Sequence, residues 1–98
     1  MNYDAFNRKH RRLAILRTLE QAPGYKSNEA ILTQMANALA IVSTRDQVRS
    51  ELTWLQENGL VTVEEIVGLL IATATQRGVE IAQGLAGHPD IAKPSPRA

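Results

Sequence analysis

The sequence predicts a mainly α-helical fold with one small β hairpin, in the order helix, helix, helix, hairpin, helix. Apolar residues recur at three- and four-residue steps over the helical segments, which is typical of amphipathic helices. Capping residues, glycine and proline separate these segments from one another. β-branched residues concentrate in one later stretch, between Val61 and Ala74, and this favours strands.

The length of the chain predicts a single domain, because 98 residues with 44% hydrophobic content suffice for one core only. We expect this domain at residues 1–87, followed by an extended or disordered tail at 88–98 that contains Pro94 and Pro96. The absence of cysteine excludes disulfides and thiolate metal sites. No signal peptide or membrane-spanning run is visible, so the expected location is the cytoplasm.

Charge is distributed unevenly along the chain, although the formal net charge is only +1. Residues 1–27 contain six Lys and Arg residues against two acidic ones, which gives a local charge of +4. Residues 28–60 carry −2 and residues 61–98 carry −1. A basic segment of this kind can face phosphate groups, and a solvated helix face is the alternative interpretation.

Three helices are expected before the hairpin, at about residues 3–21, 27–39 and 43–58. The second begins near Ser27 or Asn28, either of which can cap it. The third opens with a pattern like a capping box from Ser43, in which Asp46 stands where Glu or Gln is usual. The residues expected to face the core are Phe6, Leu13, Ile15, Leu16, Leu19, Ile31, Leu32, Met35, Ala38, Leu39, Val48, Leu52 and Leu55.

The hairpin is expected to turn at Val67-Gly68. A single helix from Val61 to Ala74 is the alternative, but restricted χ1 angles make β-branched residues unfavourable in helices. A last helix, capped by Thr75, should run to about Gly87. Its expected buried residues are Val79, Ala82 and either Leu85 or Ala86.

Two segments carry a recognisable pattern. Between Ser43 and Val61, the spacing Leu-x-x-Leu-x-x-x-Gly-Leu-Val resembles the recognition helix and first wing strand of ArsR- and MarR-type bacterial regulators; its residues are Leu52, Leu55, Gly59, Leu60 and Val61. The segment Ala74–Ala82, with Thr75 and Gly78, resembles the start of the helix after the wing. The chain is also similar to small ArsR-like proteins of Mu-like prophages. This resemblance implies a winged helix-turn-helix that binds DNA.

In that fold the third helix enters the major groove, and its exposed side chains meet base edges or phosphates. The candidate contacts on this helix are Thr44, Arg45, Gln47, Arg49, Ser50 and Thr53. Arg45 and Arg49 suit guanine or phosphate, and Gln47 suits adenine. Arg8 and Arg12, in the basic first helix, are expected at flanking phosphates. A solvated polar face is the alternative for both sets.

The hairpin departs from the pattern of a DNA-binding wing. Glu64 and Glu65 precede an apolar tip, where a wing that contacts phosphates usually presents Arg or Lys. An exposed apolar tip indicates a protein interface. We expect Val67, Leu69 and Trp54 to contribute to one, although Trp54 also suits packing against the first helix.

The predicted function is a double-stranded-DNA-binding transcriptional regulator of a phage or prophage, acting as a homodimer. The alternative is a winged-helix protein-interaction module in phage assembly or DNA packaging, because one scaffold hosts many functions. A small-ligand sensor is a weaker third hypothesis. Enzymatic activity is not expected, since His10 and His88 are the only histidines and neither belongs to a metal or nucleophile motif. No cofactor, metal or membrane partner is expected.

Overall fold

The protein consists of four α-helices around a three-stranded antiparallel sheet, in a computed structural model that describes residues 2–95. The predicted order of helices and hairpin is confirmed, and residues 96–98 of the expected tail lie outside the described residues. The elements are α1 Tyr3–Gln21, β1 Lys26–Asn28, α2 Glu29–Ala38, α3 Arg45–Glu57, β2 Val61–Ile66, β3 Leu69–Ala74 and α4 Gln76–Ala82, with a short 3-10 turn at Pro23–Tyr25.

Side-chain caps set the starts of the helices. Asn28 caps α2 by accepting the Ile31 amide hydrogen at 3.0 Å. At α3 the cap is Thr44, one residue later than predicted, and the capping box is complete because the Gln47 side chain accepts from the Thr44 amide at 2.9 Å. Ser43 does not cap the helix, since it is buried and its hydroxyl binds elsewhere.

The sheet has the strand order β1-β3-β2, and the hairpin of β2 and β3 is the wing. Strand β1 was not predicted, because three polar residues show no apolar alternation. It pairs with the wing through Lys26 opposite Thr73 and Asn28 opposite Ile71. The wing is therefore joined by main-chain pairing to the segment that leads into α2.

The core lies where the four helices pack against the wing, and it confirms Val48, Leu52 and Leu55 as the inward face of α3. Two other predicted faces need correction. Phe6 is exposed on α1 and stacks beside His10. Of the apolar residues of α2, only Leu32 and Ala36 are buried, because the neighbouring elements cover one narrow line of the helix. The predicted core residues that lie exposed on α2 or at its C-cap are Ile31, Met35, Ala38 and Leu39.

Helix α4 ends at Ala82, earlier than predicted. Gly84 adopts a positive φ of 81°, and the Leu85 amide donates to the Glu80 carbonyl at 2.9 Å, which closes the helix end. Leu85 is consequently exposed and Ala86 packs against the core, so Ala86 is the correct one of the two alternatives.

The chain after Gly87 contributes to the core, although it forms no helix or strand within the described residues. Ile91 is only 4% exposed and belongs to the core cluster. The Arg12 guanidinium donates to the Asp90 carbonyl at 3.0 Å, and the Ala92 amide donates to the Lys9 carbonyl at 3.2 Å. The domain boundary at Gly87 stays a prediction, but the segment that follows is held against α1.

The wing turns at Val67-Gly68, as predicted, with φ angles of 50° and 77°. Two successive positive φ angles match the right-handed twist of a hairpin, and Asn-Gly is the favoured pair there. A β-branched residue at positive φ is strained. Val67 is also fully exposed, so nothing within its own chain compensates for that strain by packing.

We therefore expect Val67→Asn to stabilise the monomer by about 1 kcal/mol, because asparagine tolerates the left-handed region better than valine. Urea denaturation in dilute solution measures this as a raised midpoint with an unchanged slope. Thr62→Asn, at an exposed position of regular β2 geometry, is the control and should not stabilise. A lowered midpoint for Val67→Asn would contradict the expectation.

Candidate nucleic-acid interface

The candidate residues on α3 lie together on the helix face that points away from the core. Five of them are exposed and one, Arg49, is half-buried. Their side chains are short or polar. The exposed residues are Thr44, Arg45, Gln47, Ser50 and Thr53.

Behind this face lies a buried carboxylate that the sequence analysis missed. Glu29, the first residue of α2, has a fully buried side chain. Its Oε1 accepts from Arg45 Nε at 2.7 Å and from Arg49 Nη1 at 3.0 Å, and its Oε2 accepts from Arg49 Nη1 at 2.9 Å. Oε2 also accepts from the Leu70 amide of the wing at 2.5 Å. We call these four residues the Glu29 cluster.

The Glu29 carboxylate is charged because its neighbours outweigh its burial. Burial alone raises the pKa of Glu29, whereas hydrogen bonds from the Leu70 amide, Arg45 and Arg49 lower that pKa. The net pKa lies below the ordinary value for glutamate. Two guanidinium groups and one carboxylate therefore leave the Glu29 cluster with a net positive charge.

No sequence signal separates Glu29 from an ordinary acidic residue in the first turn of a helix. A negative charge at that position is common, because it interacts favourably with the helix dipole. Its partners stand 16, 20 and 41 positions away in the chain. Only the packing of α2 against α3 and the wing brings them together.

The Glu29 cluster holds both candidate arginines without covering them. The Arg45 side chain is 52% exposed and the Arg49 side chain is 37% exposed. A guanidinium group has five N–H donors, so each retains donors for a ligand. Arg49 Nη1 also lies 3.4 Å from the Gly68 carbonyl, which adds a contact with the wing turn.

Three other candidates are partly engaged at α3, since the Thr53 hydroxyl donates to the Arg49 carbonyl at 3.2 Å and the side chains of Thr44 and Gln47 form the capping box. The Gln47 side-chain oxygen accepts from the Thr44 amide, and the Thr44 hydroxyl accepts from the Gln47 amide at 3.1 Å. A bidentate contact with adenine needs the oxygen and the nitrogen of the glutamine amide together. For Gln47, such a contact competes with the capping box.

Two arginines of α1, Arg11 and Arg12, are turned inward, which corrects the expectation for Arg12. Arg12 is 7% exposed and Arg11 is 5% exposed. Glu51, buried on α3, accepts from Arg12 Nε at 2.8 Å and lies 3.5 Å from Arg11 Nη1. The long stem of arginine can be buried when its charge is paired in this way. Arg8 remains exposed.

Trp54 is half-buried and packs against α1. The Arg12 guanidinium lies 3.7 Å from the centre of its ring, within the range of a cation–π contact. The His88 ring meets the indole edge-on at 5.0 Å. Of the two expectations for Trp54, the structure shows packing against the first helix, and its contribution to an interface stays a prediction.

The tip of the wing is apolar and exposed. Val67 is fully exposed, Ile66 is 50% exposed and Leu69 is half-buried. Glu64 and Glu65 are exposed on β2. The hairpin therefore presents an acidic edge and an apolar tip.

A metal-binding cluster and a membrane-spanning helix are both absent from the described part of the chain. Residues 2–95 contain no group of three or more His, Cys, Asp or Glu side chains placed to hold a metal ion. Over the same residues, no helix combines the length and the apolar character needed to cross a bilayer. The expected absences of a metal, a cofactor and enzymatic activity stay predictions.

Comparison with known proteins finds a phage relative. The "Uncharacterized protein gp26" of Escherichia phage Mu is 41% identical over 88 residues, which are 90% of this chain and 91% of that protein. The chain belongs to the phage Mu gp26 family. A second relative of the chain is an "Uncharacterized protein" of Haemophilus influenzae. It is 37% identical to the chain over 78 residues, which are 79% of this chain and 76% of that protein.

The phage Mu relative confirms the predicted similarity to proteins of Mu-like phages. No protein-family model matches the chain. No solved structure matches it either. The ArsR- and MarR-type assignment of this gp26 family member therefore stays a prediction based on its two sequence segments.

Proposed function

We propose that this gp26 family member binds double-stranded DNA through α3 and acts as a phage transcriptional regulator in the host cytoplasm. The observation that carries the proposal is the Glu29 cluster, which holds Arg45 and Arg49 at the edge of an otherwise short-chained, exposed helix face. The winged arrangement and the resemblance to ArsR- and MarR-type regulators support the same function. In such folds this helix enters the major groove.

The Glu29 cluster suits recognition because it restricts the two arginines before a ligand arrives. A free arginine loses side-chain entropy when it is immobilised, and an orientation fixed in advance reduces that loss. Ser50 and Thr53 have short side chains, so the helix can approach the bases closely. Arg45 or Arg49 can then contact guanine through the donors that Glu29 leaves free.

The charge of this surface predicts a modest electrostatic contribution to binding. Arg8 and Arg45 are exposed and Arg49 is half-buried, so these three cations can reach a phosphate, whereas Arg11 and Arg12 are buried. Each neutralised phosphate contributes about −0.9 to the slope of log K against log salt, so three contacts give about −3 per protomer. A dimer with two half-sites doubles the contacts and raises the affinity accordingly.

We expect Ser50→Glu to weaken DNA binding by about tenfold or more, because it places a carboxylate on the outward face of α3. Arg45→Ala and Arg49→Ala are poorer tests, since each also removes a partner of buried Glu29. Fluorescence anisotropy with duplexes enriched from a random pool measures the affinity. Gln83→Glu, exposed after α4, adds the same charge and is the matched control. Absence of salt-sensitive binding by the unmodified protein at low ionic strength would contradict the proposal.

A protein-interaction module in phage assembly or DNA packaging is the second candidate. Two observations favour it: the exposed apolar wing tip, and the burial of Arg11 and Arg12, which interrupts a continuous basic surface between α1 and α3. This candidate requires no DNA affinity. The same titration separates the two functions, because only DNA binding makes Ser50→Glu differ from Gln83→Glu.

A further inference from the structure

A groove between α1 and α2 is lined by apolar side chains that the core leaves uncovered. It encloses about 350 Å³, and its floor includes Leu13, Met35, Leu39 and Ile41. Met35 is 39% exposed and Leu39 is 56% exposed. These residues explain why α2 has a broad apolar face although only a narrow line of it is buried.

The rim of the groove is basic. Arg17 and Lys93 line it, together with His10. Among the described residues that line it, none is Asp or Glu. A complementary occupant therefore combines apolar side chains for the floor with carboxylates for the rim.

The wing tip of the same chain has this composition. Ile66 and Val67 project from the turn, with exposures of 50% and 101%. Glu64 and Glu65 directly precede them and are exposed. Residues 61–74, which form the hairpin, contain no Lys or Arg. The tip is narrow, since two residues connect the strands.

We propose that the wing tip of one copy binds the α1–α2 groove of a second copy. Ile66 and Val67 contact the apolar floor, and Glu64 and Glu65 lie beside the basic rim. The wing tip of the same copy does not fill the groove, because Val67 is fully exposed within its own chain. Since one chain carries both complementary surfaces, a second copy is the occupant that the charges favour over an unrelated protein.

This contact joins two different surfaces, unlike a wing-to-wing contact, in which the same surface meets itself. Two copies can exchange wings reciprocally in a closed dimer, or further copies can add head to tail. The inference does not depend on DNA binding, because neither surface includes the outward face of α3.

Complementation between two variants tests the proposal. Val67→Asp disables the wing tip, and Leu39→Asp disables the groove floor. Each variant alone is expected to self-associate about tenfold or more weakly than the unmodified protein. An equimolar mixture is expected to form a complex, because the first variant keeps an intact groove and the second keeps an intact wing. Analytical ultracentrifugation measures the association.

Leu85→Asp, at an exposed apolar position after α4, is the matched control and should associate like the unmodified protein. Arg17→Glu is a second groove variant that acts through the charge of the rim, and circular dichroism verifies that every variant is folded. A monomeric unmodified protein up to about 1 mM would overturn the proposal. A mixture in which the two variants form no mixed complex would also overturn it. So would folded groove variants that self-associate normally, which is the result that a wing-to-wing contact requires.

Discussion

Gly78→Ala is expected to destabilise the protein by about 3 kcal/mol, at the upper end of overpacking effects. A Cβ atom at Gly78 would overlap the Leu60 backbone carbonyl and would also lie 3.3 Å from Leu16 Cδ2. The carbonyl cannot easily move, because its oxygen accepts from the Thr75 amide at 3.0 Å. In an exposed helix the same change usually stabilises by up to about 1 kcal/mol, so the expected sign is reversed.

Urea denaturation followed by circular dichroism measures the effect of Gly78→Ala on the free energy of unfolding. Gly87→Ala is the matched control, since a Cβ atom there meets nothing within 4 Å and the residue does not have a positive φ. We expect the control to change stability by about 0.5 kcal/mol or less. Equal effects of the two substitutions would contradict the close contact between Gly78 of α4 and the Leu60 carbonyl before the wing.

Glu29→Gln is expected to destabilise the protein by about 2–3 kcal/mol at neutral pH. Removal of one partner of a buried ion pair typically has an effect of about 3–5 kcal/mol. The effect is smaller here because the Arg45 and Arg49 side chains are 52% and 37% exposed, and water partly replaces their lost partner. The neutral amide also weakens the bond from the Leu70 amide, so this hydrogen should exchange faster with solvent.

The effect of Glu29→Gln should depend on pH. Because the folded-state pKa of Glu29 lies below its ordinary value, its charge stabilises the fold above the unfolded-state pKa, about 4.3. That stabilisation is lost as the pH falls through the lower folded-state pKa. The difference in unfolding free energy between the two proteins should therefore shrink in acid. Glu57→Gln, exposed on α3, is the control. A difference that stays constant with pH would contradict this account.

The order of the elements was predictable because it depends on interactions between residues close together in the chain. The Asn28 cap, the apolar spacing of α3 and the turn at Val67-Gly68 each involve only a few neighbouring positions. Local patterns were less informative about the exact first and last residues of the elements. The C-terminus of α4 was predicted too late in the chain, and the N-cap of α3 was predicted one residue too early. In each case more than one neighbouring residue could cap or end the helix.

The helix face that forms the candidate site was predictable, but the ion pairs that its arginines make were not. The outward position of Ser50 and Thr53 follows from helical periodicity, and the structure confirms that both are exposed. From the sequence, Arg45 and Arg49 were expected either to contact DNA or to be solvated, without a partner in the protein. Their common partner, Glu29, lies on another helix, and no spacing along the chain indicates it.

The sequence by itself determined the helices, the hairpin and the relation to phage Mu gp26, because periodicity, caps and identity are properties of the chain. The tertiary structure alone decided which side chains are available. It buried Arg11 and Arg12 against Glu51 and left Met35 and Leu39 exposed. The reason is that an amphipathic pattern states which face of a helix is apolar, whereas burial requires a neighbouring element to cover that face.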